Sequence, residues 1–63
     1  MAMLNTQPNL AKADDFYARL IAVHDGLSDD ASMALNARII LLMANHIGDQ
    51  EVLEQVLAAA KLD

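Results

Sequence analysis

The chain has no cysteine, no tryptophan, one proline and two glycines among 63 residues. Without cysteine it forms no disulfide and no thiolate zinc site, and its two histidines are too few for an all-protein structural metal centre. Below about 70–80 residues a hydrophobic core rarely supplies more than roughly 3–5 kcal/mol, so small domains usually need a further stabilising element. We therefore expect that this chain is stabilised by association with another copy or with another protein.

Basic and aromatic residues are also scarce. Four Lys and Arg residues stand against nine Asp and Glu residues, and the resulting net charge of −5 repels a phosphate backbone. Phe16 and Tyr17 are the only aromatic residues, too few for a platform on which bases stack. Gly26 and Gly48 lie far apart, which excludes a glycine-rich phosphate loop. We therefore expect no nucleic-acid partner and no nucleotide cofactor.

Apolar residues are abundant but fall in short runs. The longest run, residues 39–44, is far shorter than the roughly 20 residues that cross a bilayer. The first residues lack the basic region of a secretory signal. A hydrophobic content of 56% argues against disorder. These features predict a soluble cytoplasmic protein without a membrane partner.

The spacing of apolar residues predicts an all-α fold. Apolar positions recur every three or four residues, and no stretch alternates as a strand does. The pattern predicts a compact arrangement of three helices, assembled as an oligomer, with an irregular amino-terminal arm before them. The predicted helices cover residues 13–25, 29–46 and 50–62, the arm covers residues 1–12, and the helical domain covers residues 13–63.

Residues typical of helix ends lie between the predicted helices. Ser28 and Asp49 are suitable N-caps for the second and third helices. Gly26 and Gly48 suit the left-handed position that follows a helix, and Leu27 is expected to fold back on the first helix in a Schellman motif.

Most of the acidic residues stand at predicted helix starts. There they complement the helix dipole, and adjacent carboxylates diverge around the helix and do not converge on a substrate. We therefore assign capping and dipole stabilisation, and no catalytic role, to these six acids: Asp14, Asp15, Asp29, Asp30, Asp49 and Glu51.

The second helix is apolar on nearly all sides, which is typical of a helix that is buried all round. One ridge, formed by Leu35, Ile39 and Leu42, is expected to pack on the first and third helices. Two flanking helices do not surround the second one, so the opposite side predicts an interface with another chain, most simply a second copy. The alternative is that the arm covers it. The predicted interface residues are Met33, Ala37, Ile40, Leu41, Ala44 and Ile47.

A narrow polar strip interrupts this helix at Arg38 and Asn45. An arginine on a largely apolar helix is usually an exposed side chain whose aliphatic part covers apolar surface. Two alternatives remain open, an interfacial polar network that joins Arg38 to Asn36 and Asn45, and capture of an anion.

Two histidines and one tyrosine are the remaining candidates for chemistry. His24 and His46 each stand near a helix C-terminus, where the dipole favours a protonated imidazole. Tyr17, His46 and Asp49 are predicted to gather at one end of the bundle, where they form a candidate ligand pole. No nucleophile and base are paired, so we predict that the chain is not an enzyme, that no catalytic residue is present and that it uses no cofactor or metal. The alternative function is a small-molecule or metal-binding protein that uses Tyr17, His24 or His46.

Two segments carry a resemblance to a known family. Residues 35–49 read LNARIILLMANHIGD, and residues 14–17 read DDFY. Together they resemble the short bacterial proteins of the domain of unknown function 2783, over about residues 10–60. The resemblance implies a stand-alone small helical protein with no assigned activity. It also implies an association with flavin-dependent hydroxylases of aromatic breakdown, which fits an accessory subunit.

These observations predict a non-catalytic helical protein that acts through protein–protein association. The expected partner is a second copy, in a homodimer or a higher homo-oligomer, and a larger enzyme is a further expected partner.

Overall fold

The computed structural model of the chain describes residues 2–61. It contains three helices, α1 (Ala13–His24), α2 (Asp29–Ile47) and α3 (Gln50–Ala60), and residues 2–61 form no strand. The all-α prediction is confirmed, and the ends of α1 and α2 lie within one residue of those predicted. The prediction that α3 continues to about residue 62 is wrong, because Lys61 has an extended conformation (φ −70°, ψ 126°) that ends the helix. Leu62 lies outside the described residues.

The predicted caps of α2 and α3 are confirmed. The Ser28 hydroxyl accepts a hydrogen bond from the Ala31 N–H at 3.2 Å, and the Asp49 carboxylate accepts one from the Val52 N–H at 3.1 Å. Gly48 ends α2 in the left-handed conformation (φ 67°), and its N–H donates to the Ala44 carbonyl at 2.9 Å. Since Gly48 and Asp49 alone separate the two helices, the end of α2 and the start of α3 are fixed by local interactions.

The connection between α1 and α2 differs from the predicted Schellman motif. Asp25 adopts φ −63° and ψ 136°, Gly26 follows at φ 78°, and the Leu27 N–H donates to the His24 carbonyl at 3.3 Å. These angles and this hydrogen bond define a type II β-turn, which requires a positive φ at its third residue. Gly26 therefore occupies a left-handed position, as expected, but in a turn that leads the chain away from α1. Leu27 remains exposed and does not fold back on the helix.

The helices form an open arrangement without a buried core. No side chain within residues 2–61 is fully buried, and the three helices make few contacts with one another. The radius of gyration is 13.5 Å, whereas a compact domain of this length has about 11 Å. The predicted compactness of the three-helix arrangement is therefore not found within one chain, and its assembly as an oligomer stays a prediction. Two flanking helices of 12 and 11 residues are too short to enclose the 19 residues of α2.

Some helical side chains are half-buried. Leu35 and Ile39 of the predicted inward ridge of α2 are among them, and their packing on α1 and α3 stays a prediction. Leu42, the third residue of that ridge, is 71% exposed, so the prediction is wrong for this residue. The other half-buried helical residues with apolar or imidazole side chains are Leu20, His24, Ala31, Ala44, Val52, Leu53 and Val56.

The amino-terminal arm (residues 2–12) contains no helix or strand and is attached to α3. The Gln55 side chain accepts a hydrogen bond from the Leu4 N–H at 3.0 Å and donates one to the Ala2 carbonyl at 3.1 Å. Ala2 and Leu4 are half-buried, whereas Met3 between them is exposed. The arm is thus held at one point, and residues 5–12 between that point and α1 are exposed.

Candidate interaction surface

The residues predicted as an interface form an exposed apolar stripe along α2. At about 100° per residue they occupy about one third of the helix circumference. Met33 and Leu41 are 71% and 68% exposed, and Ile40 and Ile47 are 56% and 47% exposed. Ala37 is also exposed, and Ala44 is half-buried. We call these six residues the α2 apolar face. The described part of the chain leaves this face largely uncovered.

The carboxyl-terminal half of the α2 apolar face continues into a groove between α2 and α3. The groove has a volume of about 430 Å³ and opens to solvent. Gln50 is the single polar residue in its lining, so the groove is an apolar surface without the polar groups that orient a small polar ligand. Its lining residues are Ile40, Met43, Ala44, Ile47, Gln50, Leu53, Val56 and Leu57.

The accessible surface area expresses how much of the chain is left uncovered. The chain exposes 5747 Å². A folded monomer of 6.8 kDa is expected to expose about 4,000 Å². The excess, roughly 1,700 Å², is about twice what each partner buries in a standard protein–protein interface. The open arrangement of the helices and the exposed arm produce this excess together.

The amino-terminal arm does not cover the α2 apolar face. Its hydrogen bonds are made to α3, and Ile40 and Ile47 remain about half exposed. The alternative that the arm shields these residues from water is therefore wrong.

The polar strip of α2 is exposed and forms no network within the chain. No hydrogen bond or ion pair between described residues joins Arg38 to Asn36 or Asn45, and all three side chains are exposed. The Arg38 side chain thus lies in solvent, as the commonest interpretation of its position predicts. A network across an interface between chains stays a prediction.

The candidate chemical residues are dispersed. The His24 ring donates its Nδ1–H to the Leu20 carbonyl at 2.7 Å, since a carbonyl oxygen only accepts. Asp49 is used as the cap of α3, and Tyr17 and His46 are exposed. No hydrogen bond within residues 2–61 joins Tyr17, His46 and Asp49 at the predicted ligand pole. No group of three or more His, Asp or Glu residues in that range is placed to hold a metal ion. Small-molecule or metal binding at these side chains stays a prediction.

A shallow polar concavity at the turn between α1 and α2 was not expected from the sequence. Four polar side chains and Met33 line it, and Met33 connects it to the α2 apolar face. Four of the five residues share one face of α2, and the turn between the helices adds His24 from the end of α1. The four polar residues are His24, Asp29, Ser32 and Asn36.

Sequence reasoning also missed the contribution of α3. Gln55 is half-buried and holds the arm. Leu57 is exposed at the edge of the groove. One feature of the sequence could have indicated this exposure. The apolar side of α3 is wider than one neighbouring helix can cover.

These features define a small all-α protein of three helices whose main distinguishing surface is an exposed apolar face on α2. No helix within residues 2–61 is both long enough and apolar enough to cross a membrane. A family model described as "Protein of unknown function (DUF2783)" matches residues 4–62, nearly the whole sequence. The chain belongs to this family, which confirms the resemblance found in the sequence. Comparison with curated proteins and with solved structures found no match.

Proposed function

We propose that this protein is non-catalytic and acts through protein–protein association, and that its partner is a second copy of the same chain. The observation that carries the proposal is the α2 apolar face, which is largely exposed, while no side chain within residues 2–61 is fully buried. Contiguous apolar surface of this kind is rare on proteins that remain monomeric.

The size of the uncovered surface supports a dimer. Part of the excess of roughly 1,700 Å² per chain lies on the exposed arm, so two copies can hide at most about 3,400 Å² in total. This upper limit leaves room for an interface of about 1,600 Å², the size of a standard protein–protein contact. A small or transient contact would leave most of the excess exposed.

The arrangement of the apolar surface supports a symmetric contact. In a two-fold dimer the same patch of both copies meets, so the patch must complement itself. The six residues of the α2 apolar face carry no charge, and two copies can therefore meet there without like-charge repulsion between their side chains. Ala37 and Ala44 are small and lie two turns apart, which allows the two α2 backbones to approach closely.

The experiment is a measurement of mass by light scattering for the wild-type chain and for Ile40→Asp. The wild type is expected at twice the chain mass of 6.8 kDa. The aspartate places an unpaired charge in the interface, which costs several kcal/mol and weakens the dimer by about 100-fold or more. The variant should be a monomer that retains helical circular dichroism.

Leu42→Asp is the matched control. Leu42 lies on the same helix, is 71% exposed and is about 160° around α2 from Ile40. The substitution Leu42→Asp makes the same change of charge outside the proposed interface, so the mass of this variant should equal that of the wild type. A monomeric wild type, an unchanged mass for Ile40→Asp, or equal dissociation by Leu42→Asp would each refute the assignment of the interface.

An accessory role on a larger enzyme is a second form of the same proposal. It rests on the resemblance, which implies flavin-dependent aromatic hydroxylases, and it would use the same apolar surface. A wild-type chain that is monomeric alone but forms a defined complex with such an enzyme, lost in Ile40→Asp and kept in Leu42→Asp, would favour this form over the homodimer.

A further inference from the structure

The contact between the arm and α3 is a pairing of one side-chain amide with extended main chain. Gln55 uses both of its polar groups, because its carbonyl oxygen accepts from the Leu4 N–H at 3.0 Å and its NH₂ donates to the Ala2 carbonyl at 3.1 Å. Within residues 2–61 these are the hydrogen bonds that join segments far apart in the sequence; the others are local. The pairing needs a donor and an acceptor at the same side chain.

Gln55 lies on the side of α3 that faces away from the groove. Leu53 and Leu57, which line the groove, are each two positions from Gln55 and hence about 160° around the helix. The arm therefore attaches behind α3 and leaves the groove open. It supports the helix that forms one wall of the groove without occupying the groove itself.

Little else determines the position of α3. The helix joins α2 through Gly48 and Asp49, it makes few contacts with the other helices, and none of its described side chains is fully buried. A helix of 11 residues is also too short to be stable on its own in water. The two hydrogen bonds of Gln55 are thus, within residues 2–61, the side-chain hydrogen bonds that tie this wall of the groove to a segment far away in the sequence.

We infer that Gln55 and residues 2–4 form a latch that positions α3 and thereby completes the surface on which a second copy binds. Gln55 is a positioning residue: its polar groups hold the arm, and the arm holds the α3 wall of the groove. The inference rests on the proposed homodimer, and it adds that association is strong when the latch is closed and weak when it is open.

The substitution Gln55→Glu tests the latch because its effect depends on pH. The ionised carboxylate accepts from the Leu4 N–H but has no hydrogen to donate to the Ala2 carbonyl. One carboxylate oxygen and the Ala2 carbonyl oxygen then face each other without a hydrogen between them. The protonated carboxylic acid accepts and donates, as the amide does, so it closes the latch again. An unperturbed glutamic acid has a pKa of about 4.3, so the measurements run from about pH 7 down through this value.

Two quantities are measured for Gln55→Glu between about pH 7 and the pKa of the introduced carboxyl. The amide resonance of Leu4 in a proton–nitrogen correlation spectrum reports on the latch, and sedimentation at several protein concentrations reports the dissociation constant of the dimer. At pH 7 we expect the Leu4 resonance to leave its wild-type position and the dissociation constant to rise about tenfold, as expected for the loss of one or two hydrogen bonds. Both should return toward the wild type as the pH falls through the pKa of the introduced carboxyl.

Two controls isolate the latch. The wild type at each pH accounts for the nine native Asp and Glu residues. Gln7→Glu makes the same chemical change at an exposed side chain of the arm and should follow the wild type at every pH.

The outcomes separate the latch from the dimer. If the Leu4 resonance moves with pH while the dissociation constant stays at the wild-type value, the latch does not control association and the inference is wrong, although the dimer stands. If the Leu4 resonance does not move, Gln55 does not hold the arm and the inference is also wrong. A wild type that is monomeric at all concentrations refutes the proposed homodimer, and with it the inference.

Discussion

Because no side chain within residues 2–61 is fully buried, the helices of the proposed homodimer should lose stability when the protein is diluted. In α1 and α3, with 12 and 11 residues, the helix length is at or below the limit at which isolated helices persist in water. In the proposed homodimer, apolar surface covered by the second copy supplies the stability that the isolated helices lack. Folding and association are then one equilibrium, and the proposal predicts a melting temperature that depends on protein concentration.

The size of this dependence follows from the chain length. Two copies of 63 residues have an unfolding enthalpy of about 90 kcal/mol near 60 °C, at about 0.7 kcal/mol per residue. A tenfold dilution of a two-chain equilibrium changes its free energy by about 1.4 kcal/mol, which lowers the melting temperature by about 5–6 °C. A monomer would show no change.

Thermal melts followed by far-ultraviolet circular dichroism, over a hundredfold range of concentration, measure this effect. The expected decrease over the whole range is about 10–12 °C. Ile40→Asp is a suitable comparison. Its melting temperature should be independent of protein concentration and lower than that of the wild type. A sharp wild-type melt whose midpoint does not change with concentration would refute the coupling of folding to association.

The remaining predictions concern the helix ends and are measured by chemical denaturation at fixed protein concentration. Ser28→Ala removes the acceptor of the Ala31 N–H and should lower the free energy of unfolding by about 1 kcal/mol, whereas Ser28→Thr should keep most of it. Gly48→Ala should lower it by about 1–2 kcal/mol, because φ is 67° while the added Cβ would meet its nearest atom, the Asn45 carbonyl oxygen, at an ordinary 3.6 Å. Gly48→Asn should cost less, since asparagine tolerates the left-handed region. Equal stability of the alanine variants and the wild type would contradict the assigned caps.

The candidate surface was predictable on α2 and not on α3. On α2, apolar residues on nearly all sides of one helix indicated that a chain of 63 residues leaves part of that helix exposed. On α3, Leu53 and Leu57 share an apolar side, but only the turn at Gly48 decides that this side and Ile47 line one groove. The polar strip and the ligand pole were less predictable. Hydrogen bonds between such side chains depend on the angles between helices, and a projection of one helix gives no information on those angles.

The sequence by itself determined the number of helices, most of their ends and the residues that cap them. Ser28, Gly48 and Asp49 act within four residues of themselves, so local backbone preference and a single hydrogen bond are enough to specify them. The tertiary structure alone decided that Gln55 pairs with main chain more than fifty positions away, that Ile47 and Leu53 line one groove, and that Leu42 is exposed. These features depend on how the three helices are placed in space, which the pattern of apolar positions along each single helix does not specify.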